Sequence, residues 1–203
     1  MKNLAILIVS VLLAFPFIAQ DENADSKQVE TLFSGEIESG GYGGVFIKFG
    51  EIYDGTGVFV GGQGGWVINH QLVIGGKGYG LANRTTVNSM DNVKLEFGCG
   101  GGFIEYMLAS HKLINASVHT MIGAGGVNYV VDKYQEPHSE IDLNGDAFFV
   151  MEPGANLNLN VHDKFKIGIG ATYRFVSGVD YDTLSDSDLS GFSGEFIIKF
   201  GSF

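Results

Sequence analysis

The sequence predicts an all-β protein, an eight-stranded antiparallel up-and-down barrel that crosses a membrane with its strands. Three observations carry this expectation. Eight stretches of period-two alternation follow an apolar leader, short and long connections alternate between them, and the apolar faces run longer than soluble strands need. Composition agrees: among 203 residues there are 31 glycines and 3 prolines, and 45% of the chain is hydrophobic, which excludes collagen and a disordered chain. The net charge of −11 argues against a nucleic-acid partner, because phosphate recognition needs a basic surface.

The first element is an address. Lys2 precedes the apolar run Leu4 to Ala19, and the chain then turns abruptly charged at "QDENADSK". The run is short for a helical span of about 20 residues and is interrupted by Pro16, so residues 1–19 read as a secretory signal peptide and residues 20–38 as a periplasmic tail. A cut after Ala19 would leave Phe17 where a small residue is expected, which keeps the cleavage site open. Cys99 is the single cysteine, so the barrel, residues 39–203, has no internal disulfide to stabilise it.

The predicted strands run from Ser39 to Phe49, Gly57 to Ile68, Gln71 to Leu81, Val93 to Ala109, Ile114 to Val131, Asp146 to Val161, Phe165 to Ser177 and Ser190 to Phe203. Strands two and three are joined by "NH", four and five by "SHKL", and six and seven by "HDK"; the others are joined by "GEIYDGT", "ANRTTVNSMDN", "DKYQEPHSEIDLNG" and "GVDYDTLSDSDL". Tight turns at one end and long loops at the other are the wiring of an outer-membrane barrel, with both termini on the periplasmic side.

Facing follows from the two-residue period. In "ANLNLNV", Ala155, Leu157, Leu159 and Val161 share one face, and Asn156, Asn158 and Asn160 the other. In strand seven Ile167, Ile169, Ala171 and Phe175 oppose Lys166, Gly168, Gly170, Thr172 and Arg174, and strand five likewise sets Ile114, Val118 and Ile122 against Asn115, Ser117 and His119. Apolar faces of this length suit lipid, which places the amides inside. The expected interior is a polar network of Lys48, Lys77, Lys94, Glu96, His119, Glu152, Lys166, Arg174, Glu195 and Lys199, with room left by glycines and with the charges paired. Strand four needs a bulge near "GGGFIEY" to bring Glu105 inward, and Trp66, Tyr173 and Phe175 fall near strand ends, where aromatic girdles sit.

From Ser39 to Phe203 this pattern resembles the small eight-stranded outer-membrane barrels of Gram-negative bacteria, of the type of the OmpA transmembrane domain, OmpX and OmpW. The glycine-rich segment "GGQGGWVINHQLVIGGKGYGL" is similar to an uncharacterised family of such proteins. The resemblance implies residence in the outer membrane after signal-peptide cleavage, with outer-membrane lipid and the barrel-assembly machinery as partners. The terminal Phe203 is the feature that machinery would read, although Phe196, Ile198 and Phe200 lie on the opposite face, a departure from the family signature.

Chemical motifs are weak. The glycine clusters lack the following helix and the GxxxxGK(S/T) or GxGxxG context of a phosphate-binding loop. His70, His111 and His162 each sit in a short turn and could converge on a metal, but polar turn residues explain them as well. His119, Glu152 and Arg174 read as an interior relay or as a satisfied polar core. Some barrels that this one resembles modify lipid A with serine and histidine. The pairs Ser110–His111 and His138–Ser139 are adjacent on the chain, so their side chains point apart, and no catalytic residue is assigned. The acids Glu136, Glu140, Asp142 and Asp146, and Asp180, Asp182, Asp186 and Asp188, match no calcium loop. The sequence therefore predicts a non-enzymatic protein without cofactor or metal, structural or adhesive, meeting an external ligand or surface through its loops. A narrow channel for small solutes and a soluble secreted ligand-binding barrel are the alternatives.

Overall fold

The computed structural model describes residues 37–53, 55–83, 93–131, 146–180 and 184–203. Eight strands close into one barrel in chain order: β1 (Ser39–Ile52), β2 (Gly55–Ile68), β3 (Leu72–Leu81), β4 (Val93–Leu108), β5 (Ile114–Val131), β6 (Asp146–His162), β7 (Phe165–Ser177) and β8 (Gly191–Ser202). A short helix, α1 (Asp186–Leu189), lies between β7 and β8. Every neighbouring pair is antiparallel, and β8 returns to β1 through pairs such as Lys48↔Glu195 and Val45↔Ile198. Closure leaves no strand edge, so every backbone donor in the wall can be satisfied without water. The signal-peptide and tail assignments, apart from residues 37 and 38, lie outside the described residues, as do Glu136, Glu140, Asp142 and Asp182.

The alternation in Ala155–Val161 resolves with the amides inside. Asn156 and Asn158 are 2% and 3% exposed, whereas Leu157 is 58% exposed on the outer wall. The same division holds around the barrel: Val45, Ile104, Ile122, Ile169 and Phe196 face outward, and Lys48, Glu105, Met121, Thr172 and Glu195 face inward. A contiguous apolar exterior of this kind is a surface for lipid, not water. The soluble alternative required the aliphatic faces inside, and the structure excludes it. No helix among the described residues is long and apolar enough to cross a membrane; the strands make the crossing. Aromatic residues gather at both ends of the belt: Tyr173 packs against Phe175 and Phe192 at centroid distances of 4.4 and 4.6 Å near the loop end, while Phe165 stacks on Phe200 at 4.8 Å and Trp66 stands exposed near the turn end.

Three details differ from the sequence reading. The segment "GEIYDGT" is mostly strand, because β1 and β2 stay paired to Ile52↔Gly55 and only residues 53 and 54 separate them. No bulge interrupts β4, whose register with β5 runs evenly from Val93↔Val131 to Leu108↔Ala116. Leu95, Phe97, Cys99, Phe103 and Glu105 therefore share the inner face, and the irregularity lies instead between Asn160 and His162 on β6. The turn after β2 is left-handed at Asn69 (φ 50°) and His70 (φ 57°), as expected of a tight hairpin turn that matches strand twist.

Glycine has a defined use on the inner face of β2 to β5. A Cβ at Gly75 would come within 1.9 Å of the Gly64 carbonyl oxygen, and one at Gly101 within 2.2 Å of that of Ile122. The sheet bends so sharply there that an inward side chain would strike the neighbouring strand.

Candidate functional site

The candidate site is the barrel interior, where ionic side chains lie between an apolar cluster at the loop end and a second one, Tyr42, Val67, Val73, Phe103 and Met107, toward the turns. Toward the loop end it is apolar: Phe46, Phe59, Tyr79, Phe97, Phe148 and Ile197 form one cluster with Leu184 and Leu189 from the β7–β8 connection. Ser185 holds that connection in shape, its backbone N–H donating to the Asp188 carboxylate at 2.8 Å. Arg174 ties it to the wall, with Nε donating to the Leu189 carbonyl at 2.5 Å and Nη2 to that of Glu51 at 2.8 Å. The guanidinium also lies over the Phe59 and Phe97 rings, 4.7 and 4.9 Å from their centroids. Leucines 184 and 189 thereby cork this end of the barrel.

Below the aromatics lies an ionic layer. Lys48 Nζ is 2.6 Å from Glu152 Oε2, and Lys77 Nζ is 2.7 Å from Glu195 Oε2 and 3.6 Å from Glu152 Oε1. Tyr79 donates its hydroxyl to Glu152. Nearer the turns, Lys199 Nζ meets Glu105 Oε1 at 2.5 Å, and Glu105 Oε2 accepts from the Tyr42 hydroxyl at 2.6 Å, which in turn accepts from Gln63 Nε2 at 2.6 Å. All these charges are nearly or wholly inaccessible, so the pairing offsets a desolvation cost of several kcal/mol per ion. The asparagines form a ladder beside this layer: Asn158 donates to Asn115 at 3.3 Å, Asn115 to Asn160 at 3.1 Å, and Asn160 to the carbonyls of Ser110 and Lys112, both at 2.8 Å.

Of the ten residues expected in the interior, Lys48, Lys77, His119, Glu152, Lys166, Arg174, Glu195 and Lys199 lie there. Glu96 does not. It is exposed on the outer face of β4, because the inner face of that strand is apolar at the loop end; the side chain of Lys94 is outside the described residues. Sequence reasoning left out Tyr42, Gln63 and Tyr79, and it brought Glu105 inward only through a bulge that β4 does not have. The signal for Glu105 was present in its even spacing from Leu95, Phe97 and Cys99.

His119, Glu152 and Arg174 form neither a relay nor a satisfied core as a group: among the described residues both ring nitrogens of His119 lack hydrogen-bond partners, while Glu152 pairs with Lys48 and Arg174 bonds the cork. His70, His111 and His162 line one depression of about 760 Å³ at the turn rim, but among the described residues no group of three or more His, Cys, Asp or Glu is placed to hold a metal ion. The Glu38 carboxylate bonds His70 Nε2 at 2.6 Å, and this bond, then that to the Phe203 main-chain oxygen, raises the imidazole pKa above 6.5. Ser110 and His111 share the rim; His138 and Ser139 are outside the described residues.

A closed eight-stranded barrel with an apolar outer wall and a filled polar interior defines the class, the small membrane-spanning barrels of the outer-membrane type. Solved structures of that class superpose on the chain. Neisserial surface protein A is 10% identical with a TM-score of 0.58, covering 83% of this chain and 99% of its own, and the N-terminal β-barrel domain of Pseudomonas aeruginosa OprF is 7% identical with a TM-score of 0.50, covering 79% and 96%. At these identities the likeness is one of fold. No family model matches the sequence, and no curated protein matches it.

Proposed function

We propose that this is a Gram-negative outer-membrane protein, matured by signal-peptide cleavage and inserted by the barrel-assembly machinery, whose role is structural or adhesive through its external loops. The observation that carries the reading is the filled interior. Arg174, Phe59, Lys48 and Glu152 are each 0% exposed, and Leu184 and Leu189 seat in the mouth. A barrel filled in this way offers its outer surface and loops, rather than a lumen, for contact with a ligand or another surface.

The test has two parts. Cells expressing the full chain are fractionated, and the protein is run on SDS gels with and without boiling; location in the outer membrane with a heat-modifiable band is expected. Purified protein is then placed in planar bilayers, where no steady conductance is expected. One observation favours the narrow channel as a second reading: His119, Asn156, Thr172 and Ser193 carry buried polar atoms without partners among the described residues on the β5–β8 side, as groups bonded to water would. Discrete single-channel steps would select that reading and reject the closed one.

A further inference from the structure

The turn-side mouth carries a cation without a counter-charge. Lys166 on β7 pairs in register with Lys199 on β8, so two lysines point inward from directly opposed positions. Such like-charge pairs are destabilising. Only Lys199 is neutralised, by Glu105 at 2.5 Å. Across the described interior five buried cations face three buried carboxylates, and the excess sits with Arg174, whose charge is spread over two rings and two carbonyls, and with Lys166. Lys166 is 4% exposed, makes no hydrogen bond or ion pair among the described residues, and has the Phe203 ring 4.2 Å from its Nζ as its near neighbour.

Lys166 also lines the depression at the turn rim. Its other walls include His111, His162 and Ser110, which carry donors suited to an anion, with Asp163 as the one side-chain carboxylate among them; Asn160 also lines it, its amide already donating to the Ser110 and Lys112 carbonyls. The depression runs over the rim to Leu113 and Val161, which face outward at 67% and 51% exposure. We propose that this mouth binds a single phosphate group, with Lys166 as its buried point charge and the rim donors as its outer ligands. The group belongs either to free phosphate or to the headgroup of a phospholipid of net negative charge, whose chains lie along the Val161 side of the outer wall. Binding a dianion or monoanion there would relieve the Lys166–Lys199 repulsion, which supplies the affinity that an exposed lysine would not.

The test uses the full-length protein in dodecyl maltoside at pH 7 without phosphate. Amide resonances of Asn160, His162 and Lys166 are followed while inorganic phosphate is added, with potassium chloride at equal ionic strength as the control. In a second arm, phosphatidylglycerol replaces phosphatidylcholine in nanodiscs. Saturable shifts with phosphate identify a free-anion site, and shifts only with phosphatidylglycerol identify the headgroup. Lys166→Met should weaken binding at least about tenfold, as loss of a charge-assisted contact does, and Lys166→Arg should retain it. Because Lys166→Met also removes one of two opposed cations, it should keep its heat-modifiable band, which separates lost binding from lost folding. No saturable shift in either arm, an equal response to chloride, or full binding by Lys166→Met would overturn the proposal.

Discussion

Glu152 is the residue on which the ionic layer turns, and its removal gives the most exacting test of the interior. Glu152→Gln keeps the shape and can still accept from Tyr79, but it deletes the charge. Lys77 retains Glu195 at 2.7 Å, whereas Lys48, fully buried, has no other carboxylate within ion-pair distance among the described residues. Leaving one partner of a buried pair uncompensated costs about 3–5 kcal/mol, and the Tyr79 ring, 4.1 Å from Lys48 Nζ, offsets about 1 kcal/mol of that. The expected net loss is about 3 kcal/mol. Urea unfolding of the full chain in phosphatidylcholine vesicles would report it through Trp66, the one tryptophan, which stands 53% exposed on the outer wall. Lys48→Met and the double variant complete a cycle, and the double variant should recover most of the loss. An unshifted midpoint for Glu152→Gln, or a coupling energy near zero, would refute the argument that these charges depend on each other.

Gly75→Ala should destabilise by about 3 kcal/mol or fail to fold, because its Cβ would meet a carbonyl oxygen at 1.9 Å, while Gly76→Ala on the outer face, where the nearest atom is 3.7 Å away, should be neutral; urea midpoints compare them. Arg174→Met should loosen the cork, seen as faster proteolysis within residues 184–190 of protein in liposomes, with the barrel itself intact. His70 gains its bonds to Glu38 and Phe203 in the folded state, so its folded pKa is raised. Its contribution is fully present below the ordinary value of 6.5 and is lost as pH rises through the higher folded value. Stability measured from pH 5 to 9 should show that loss in the wild type and not in His70→Asn.

The architecture was legible because lipid enforces the period. Ile169, Leu157 and Phe196 each stand on the outer wall, where alternation put them, since a slip of one residue would place an asparagine or a lysine in hydrocarbon. What alternation could not show was that the inner face changes character along its height. Leu95, Phe97 and Cys99 are as apolar as any lipid-facing residue, so β4 read as inverted, Glu96 was placed inside, and a bulge was invoked for Glu105. The β1–β2 hairpin was shortened for a related reason: Gly50, Asp54 and Gly55 have the composition of a loop, and only pairing with the opposite strand makes Glu51 and Thr56 parts of a ladder. Partner identities in the ionic layer were beyond reach, because each pair joins strands that are not neighbours in the wall.

That last property bears on assembly. Lys48 and Glu152 are 104 residues apart, Lys77 and Glu195 are 118 apart, and Lys199 and Glu105 are 94 apart. None of the three pairs can form inside a single hairpin, and two of them need β8, the last strand to arrive in chain order. A half-built sheet thus carries its charges bare, and their compensation comes together when β8 meets β1. Closure is therefore the step that makes the interior affordable in a membrane, and an intermediate one strand short should be much less stable than its count of strand pairs suggests.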